Sequence, residues 1–313
     1  MKRSTPADNP VARATSPWAR EPHPSILITG GKGMLAQAIV RSLTARNLSA
    51  VAVDRAACDI TRESDLCRLF SEHHPTLLFN CAAHTKVDLC EDEPEKADAI
   101  NGHAVGMIAA MAREHGTFVV HYSTDFVFDG RSQRPYRAED PVNPLSAYGR
   151  SKLLGEQKLQ ENAPPEWLIL RTAWLYGRGG SNFPRTIVER ARQGQPLKVV
   201  DDQIGSPTHA PDLAQATLDL LDRGLTGLWH VTNSGATTWF DFARAALDEF
   251  GIAADLSPIS TAEWLKVRPK QAVRPAYSVL DVEPLARALG RPMRPWRKAL
   301  ADYRHAVQQA GEM

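Results

Sequence analysis

The sequence predicts an α/β fold, a doubly wound parallel sheet with a smaller, mostly C-terminal lobe. Short apolar runs that suit buried strands alternate with longer stretches of helical periodicity. A glycine-rich turn separates the first strand from the first helix, where such sheets bind phosphates. The right-handed preference of strand–helix–strand crossovers makes winding on both faces the economical topology.

The elements follow in order. Ser25-Ile26-Leu27-Ile28-Thr29 reads as a buried strand. Gly30-Gly31-Lys32-Gly33 ends it, and Met34 to Leu43 reads as a helix with Leu35, Ile39 and Leu43 on one face. Ala50 to Val53 is a second strand closed by Asp54, Leu66 to Phe70 a helix, and Thr76 to Asn80 a third strand. A long helix is expected over Ala97 to His115, then a strand from Thr117 to Tyr122. Ser146 to Leu159 reads as a helix, Trp167 to Arg171 as a strand and Phe183 to Gln193 as a helix. Leu228 to Val231 suits a further strand. Residues 25–177, with a return near 208–232, are therefore expected to form a dinucleotide-binding domain, and 178–207 with 233–313 a substrate-binding lobe. Residues 1–24 hold five prolines and hardly any apolar period, which predicts a disordered extension.

Composition narrows the function. Of 313 residues, 43% are hydrophobic and 23% charged, as in an ordinary globular protein, and the formal net charge is +1. That balance gives no case for a nucleic-acid or membrane-surface partner. No apolar run approaches the roughly 20 residues that span a bilayer. The basic N-terminus lacks the apolar stretch of a signal peptide, so a cytoplasmic location is expected. Cys58, Cys67, Cys81 and Cys90 lack paired metal-ligand spacing and read as reduced thiols.

Two constellations carry chemistry. In the first, Gly30, Gly33 and Ala36 stand three apart: a tight turn, a close approach for pyrophosphate, and a small residue for helix–sheet packing. Such a turn also suits a purely structural strand–helix junction. Asp54, at the end of the next strand, adds a carboxylate placed to accept from a ribose hydroxyl. Arg55 beside it would suit a 2′-phosphate, so NADH and NADPH both stay open. In the second, Tyr148 and Lys152 stand four apart, on one helix face. A phenol titrates near 10, and a neighbouring ammonium favours its anion. Ser123-Thr124-Asp125 places a hydroxyl at the end of the fourth strand, where doubly wound sheets bind ligands.

With these pieces in one order, the chain resembles the extended short-chain dehydrogenase/reductase superfamily, of Rossmann type. Within it the closer resemblance is to the dTDP-4-dehydrorhamnose reductase family. It is carried by Asn80-Cys81-Ala82-Ala83-His84-Thr85-Lys86-Val87-Asp88 and by His121-Tyr122-Ser123-Thr124-Asp125-Phe126-Val127-Phe128-Asp129-Gly130. Arg171-Thr172-Ala173-Trp174-Leu175-Tyr176-Gly177, Asp202 to Thr208 and Arg274 to Asp281 extend it into the C-terminal half.

The resemblance implies that Gly33, Met34 and Leu35 line the pyrophosphate. Asp54 would meet the ribose, Asp59 and Ile60 the adenine, and Ala83, His84 and Thr85 the middle of the cofactor. Tyr148 and Lys152 match the catalytic pair and also touch the cofactor. Thr124 matches the assisting hydroxyl, and Thr124, Asp125 and Trp174 the substrate contacts. The implied reaction is NADPH- or NADH-dependent reduction of a 4-keto sugar nucleotide, with a homodimer left open. Related dehydratases carry Glu where this chain has Phe126, which cannot take a proton; this favours plain reduction over elimination. An epimerase, or a non-catalytic subunit resembling the regulatory subunit of methionine adenosyltransferase, would be the alternative. Many family members have Tyr at the Phe126 position. Some bridge a dimer through a metal held by an acid on the first helix; Ala36 to Ala45 contains no acid, so no metal is expected.

Overall fold

The structure, a computed structural model, describes Ser16, residues 24–268 and residues 271–313. The extension expected over 1–24 thus falls almost wholly outside the described residues.

Six parallel strands form the central sheet: β1 (Ile26–Thr29), β2 (Val51–Val53), β3 (Leu77–Asn80), β4 (Phe118–Thr124), β5 (Trp167–Thr172) and, after four short strands, β10 (Gly227–His230). Their order across the sheet is β2-β1-β3-β4-β5-β10. Strand order therefore reverses between β1 and β3, which opens a crevice at their carboxyl ends.

Alternation along each strand splits the core in two. Ile26 and Ile28 face one side, packed with Leu35, Ile39 and Leu43 of the helix Met34–Thr44 and with Leu213 and Leu220 of the helix Ala210–Asp222. Leu27, Leu78, Val119 and Ile169 face the other, against Leu66 and Phe70 of the helix Glu63–His73 and Ile108 of the helix Ala104–His115. A sheet buried on both faces needs continuous apolar strands, and these strands are continuous.

The helix expected over 97–115 is present and starts at Pro94, but it is not α-helical throughout. It runs as Pro94–Asp98, a π-helical turn over Ala99–His103, and Ala104–His115. The wide turn turns the Asn101 side chain into the structure, where it makes three hydrogen bonds (below), and such turns cluster at functional sites.

The helix Ala147–Asn162 starts at Ser146, whose hydroxyl accepts from the Gly149 amide at 3.1 Å. Its buried face is partly polar: Ser151, Lys152 and Glu156 lie with Gly149 and Gly155. Gly155 has a reason to lack a side chain, since a Cβ there would stand 2.2 Å from the Asn101 carbonyl oxygen.

The remaining strands pair in twos: β6 (Leu175–Tyr176) with β9 (Thr208–His209), β7 (Leu197–Val200) with β12 (Leu256–Ile259), and β8 (Ile204–Gly205) with β11 (Thr237–Thr238). A third core of Tyr176, Phe242, Trp296, Leu300 and Tyr303 holds this part together.

Candidate active site

Gly30 turns the chain out of β1 with φ +68°, and a Cβ on it would meet the Ala82 amide nitrogen at 2.8 Å. Glycine is thus required both by the backbone and by the loop after β3. The helix beginning at Met34 has no side-chain cap and no acid in its first turn. Its free N–H groups and positive dipole end are left for an anion.

A cavity of about 400 Å³ opens beside this turn. Gly30, Gly33, Asp59, Ile60, Ala83 and His84 line it, as expected from the sequence, together with Arg55 and Lys86. The basic side chains and bare helix start fit a pyrophosphate, and the crevice lies where strand order reverses. The residues present therefore fit a dinucleotide.

Four expected cofactor residues are placed differently. The Leu35 side chain is buried in the sheet core, so only its backbone can serve a phosphate. Met34 packs towards Gly177 and the Asn182 amide. Thr85 is exposed at the outer end of its loop and does not line the cavity. Asp54 is engaged already: its carboxylate accepts from the Ala56 and Ala57 amides at 3.0 and 3.2 Å and pairs with the Lys32 ammonium. The Lys32 pairing, then the Ala57 amide, hold its pKa below the usual range. Lys32, inside the glycine turn, was passed over because a lysine between glycines looks like a solvated loop residue.

The wall formed by residues 81–86 is tied down by Asn101. Its Oδ1 accepts from the His84 amide at 2.8 Å, and its Nδ2 donates to the His84 carbonyl at 3.0 Å and to Ser151 Oγ at 2.9 Å. One buried amide therefore joins the cavity wall to the helix that carries Tyr148 and Lys152. Asparagine disfavours helix interiors, and that is the one signal the sequence offered. The His84 ring lies 3.5 Å from Glu93, and burial, then Lys96, push its pKa down.

Beyond the cavity lies the second constellation. Thr124 ends β4; its hydroxyl donates to Asp125 Oδ1 at 3.0 Å and accepts from the Phe126 amide at 3.2 Å. The Tyr148 ring meets Phe126 edge to face, centroids 5.6 Å apart. Burial pushes the Tyr148 phenol well up, the Thr124 hydroxyl opposes this, and the Asp125 charge adds to it. The ammonium effect on the phenol that the spacing predicts is not among these forces. Lys152, 2% exposed, instead directs Nζ to His121 Nε2 at 3.3 Å. Burial lowers its pKa to about 8, against the opposing charge of Glu156.

Asp125 is 1% exposed and its pKa is raised by burial to about 6. Ser278, from the Arg274–Asp281 segment, stands beside it and partly opposes the rise. That segment is stitched to the loop that follows β4: the Tyr277 amide donates to the Gly130 carbonyl and the Asp281 amide to the Tyr136 carbonyl. Trp174, expected to touch substrate, is stacked flat on Trp239, centroids 3.5 Å apart, with φ +47°. Gly205 makes room for its indole, since a Cβ there would lie 2.5 Å from the ring. Asp202 and Gln203 hold Thr261 by hydrogen bonds, so their loop braces the C-terminal part of the chain.

Among the described residues, no three or more His, Cys, Asp and Glu side chains converge as a metal site. None of their helices is long and apolar enough to cross a membrane.

A wholly parallel doubly wound central sheet, an uncapped helix behind a glycine turn, and a Tyr-x-x-x-Lys pair beside a strand-end threonine define the extended short-chain dehydrogenases/reductases. Within that class the chain belongs to the family described as the RmlD substrate binding domain, whose model matches residues 24–309. It is 39% identical over 278 residues to the spore coat polysaccharide biosynthesis protein SpsK of Bacillus subtilis, covering 89% of this chain and 96% of that protein. It is 35% identical over 288 residues to the dTDP-4-dehydrorhamnose reductase of Burkholderia thailandensis, covering 88% and 96%. A crystal structure of dTDP-4-dehydrorhamnose reductase from Bacillus anthracis in complex with NADP superposes with a TM-score of 0.86 at 32% identity, covering 91% of this chain and 99% of that one.

Proposed function

We propose that this chain, in the cytoplasm, reduces the C4 ketone of dTDP-4-dehydro-L-rhamnose to dTDP-L-rhamnose, with NADPH or NADH as reductant. The observation that carries this is half-buried Tyr148 with buried Lys152 and Thr124, set beside the glycine-turn cavity. The relatives' names supply the sugar nucleotide and its 4-keto group. In this reading residues 25–177, with the return at 208–232, hold the cofactor. Residues 178–207 and 233–313 close over the sugar nucleotide.

Gly30, Gly33 and the helix start at Met34 would hold the pyrophosphate, Asp59 and Ile60 the adenine end, and Ala83 and His84 the middle. When bound, the reduced nicotinamide supplies the hydride that reduces the carbonyl carbon. Tyr148 donates its phenolic proton to the developing alkoxide, and burial keeps that proton on the phenol until it is needed. Thr124 hydrogen-bonds the same oxygen, and Lys152 places a positive charge near the phenolate left behind. Phe126 packs edge to face against the Tyr148 ring and holds it in place.

The test is to mix the purified protein with dTDP-4-dehydro-L-rhamnose and NADPH or NADH, then follow nicotinamide absorbance and the sugar product. Stoichiometric loss of reduced cofactor with formation of dTDP-L-rhamnose is expected. Sugar isomerisation with no net use of cofactor would point to an epimerase instead.

A further inference from the structure

Behind Lys152 lies a chain of buried polar groups that the reaction outlined above does not use. Thr29 Oγ1 at the end of β1 contacts Asn80 Oδ1 of β3 at 2.7 Å. The Asn80 side-chain amide contacts His121 Nδ1 of β4 at 3.1 Å, and His121 Nε2 meets Lys152 Nζ at 3.3 Å. None of the four residues is more than 2% exposed. The chain crosses three neighbouring strands and ends on the one ammonium in the trio.

Hydrogen counting restricts what this chain can be. A neutral imidazole carries one N–H. If Asn80 donates to Nδ1, the hydrogen sits on Nε2, and only an uncharged Lys152 amine can accept it. If the amide is turned so that its oxygen accepts from Nδ1–H, Nε2 is a free acceptor for the Lys152 ammonium. Thr29 satisfies either orientation, because its hydroxyl can donate or accept. Only the second arrangement keeps the charge on Lys152.

We infer that His121, oriented by Asn80 and Thr29, is a positioning residue for the reduction: its Nε2 accepts a hydrogen bond from the Lys152 ammonium, and so holds that group charged and aimed. The inference rests on the reductase reading. His121 is well suited to the role, since burial, then the Lys152 charge, push its pKa far down and leave it an acceptor. A bond to the charged form favours that form. The other groups that face Lys152 are Cys81 from the loop after β3 and Glu156 from its own helix; both favour its charge. The helix passes close to the imidazole at residue 155, where a Cβ would lie 3.4 Å from His121 Nε2.

The experiment compares the wild type with His121→Leu, His121→Gln and Asn80→Ala. Two quantities are read: kcat against pH, and the Lys152 Cε resonance of ¹³C-lysine-labelled protein, assigned with Lys152→Arg. In His121→Leu the Lys152 midpoint should fall by about one unit, moving the alkaline loss of kcat to lower pH, with kcat down about tenfold, the worth of a hydrogen bond to a charged group. His121→Gln, whose amide oxygen can accept from the ammonium, should restore midpoint and profile. Asn80→Ala, which leaves the imidazole without its partner, should shift both in the same direction and serves if His121→Leu does not fold. Unchanged midpoints and profiles in His121→Leu, or in Asn80→Ala where it alone folds, would overturn the inference while leaving the reductase reading intact. If the wild type reduced no keto sugar the reductase reading would fall, and the resonance midpoints would still decide whether His121 holds the ammonium.

Discussion

In the proposed reaction Tyr148 gives up a proton as a half-buried, uncharged phenol, not as an acidic one. Tyr148→Phe should lower kcat by about a thousandfold, within the usual range for a lost general acid, while cofactor affinity measured by fluorescence titration is unchanged. Asp125 makes a different prediction. Its folded pKa, about 6, lies above the ordinary carboxylate value, so the folded protein binds the extra proton between about pH 4 and 6. Stability contributed by the neutral acid is complete below that window and lost as pH rises through it. Asp125→Asn should therefore stabilise the fold by up to about 3 kcal/mol at pH 8, and the gain should vanish near pH 4. Urea melts at the two pH values check it; an equal gain at both would remove the ionisation cost from Asp125.

The residues legible in the sequence were those whose partner is near in the chain or whose backbone is unusual. Tyr148 and Lys152 share one helix face, and Gly30 sits at a strand end. Asn101 and His121 escaped because their meaning lies in contacts made only when β3 and β4 align with the helix Ala147–Asn162, and Lys32 because its partner Asp54 follows a different strand. Trp174 was read as a substrate contact, but its stacking on Trp239 depends on a residue far along the chain and has no local signature.

The helix Ala147–Asn162 is the element on which the site depends, and glycine and charge fix its position. Gly155→Ala would push its Cβ into the Asn101 carbonyl, a backbone atom that cannot rotate away. A loss of about 1–3 kcal/mol is expected, as for other overpacked interiors, together with a fall in kcat. On the same face, Glu156 accepts two hydrogen bonds from the Arg171 guanidinium, at 2.9 and 2.7 Å, and a third from Ser123. Glu156→Gln should cost about 3–5 kcal/mol, because it leaves Arg171 charged and buried without its counterion. Guanidinium unfolding midpoints measure both variants. The strands and helices of the sheet were legible from periodicity, because two-sided burial demands continuous apolar runs. The π-helical turn within the helix expected over 97–115 was not, since the contacts that Asn101 makes there are with residues far along the chain.

At the scale of the whole molecule, the reversal of strand order between β1 and β3 sets the place of the cavity, and β4 and the helix Ala147–Asn162 bring Thr124, Tyr148 and Lys152 to the same edge. The sheet order itself was not legible, because single strands carry no record of their neighbours. A ligand that binds only the folded state should stabilise all of it. NADPH at about a hundred times its dissociation constant should add about 2.7 kcal/mol, seen as a higher melting temperature that falls back when the cofactor is removed by gel filtration.

The most direct measurement uses NADPH deuterated at the transferable position of the nicotinamide, with dTDP-4-dehydro-L-rhamnose as acceptor. The product is examined by proton NMR for the wild type and for Tyr148→Phe. Deuterium carried to C4 of the sugar by the wild type, and to a far smaller extent by the variant, is the expected result. A reduced sugar without deuterium at C4, or equal transfer by the variant, would contradict the claim that Tyr148 protonates a ketone reduced at this site.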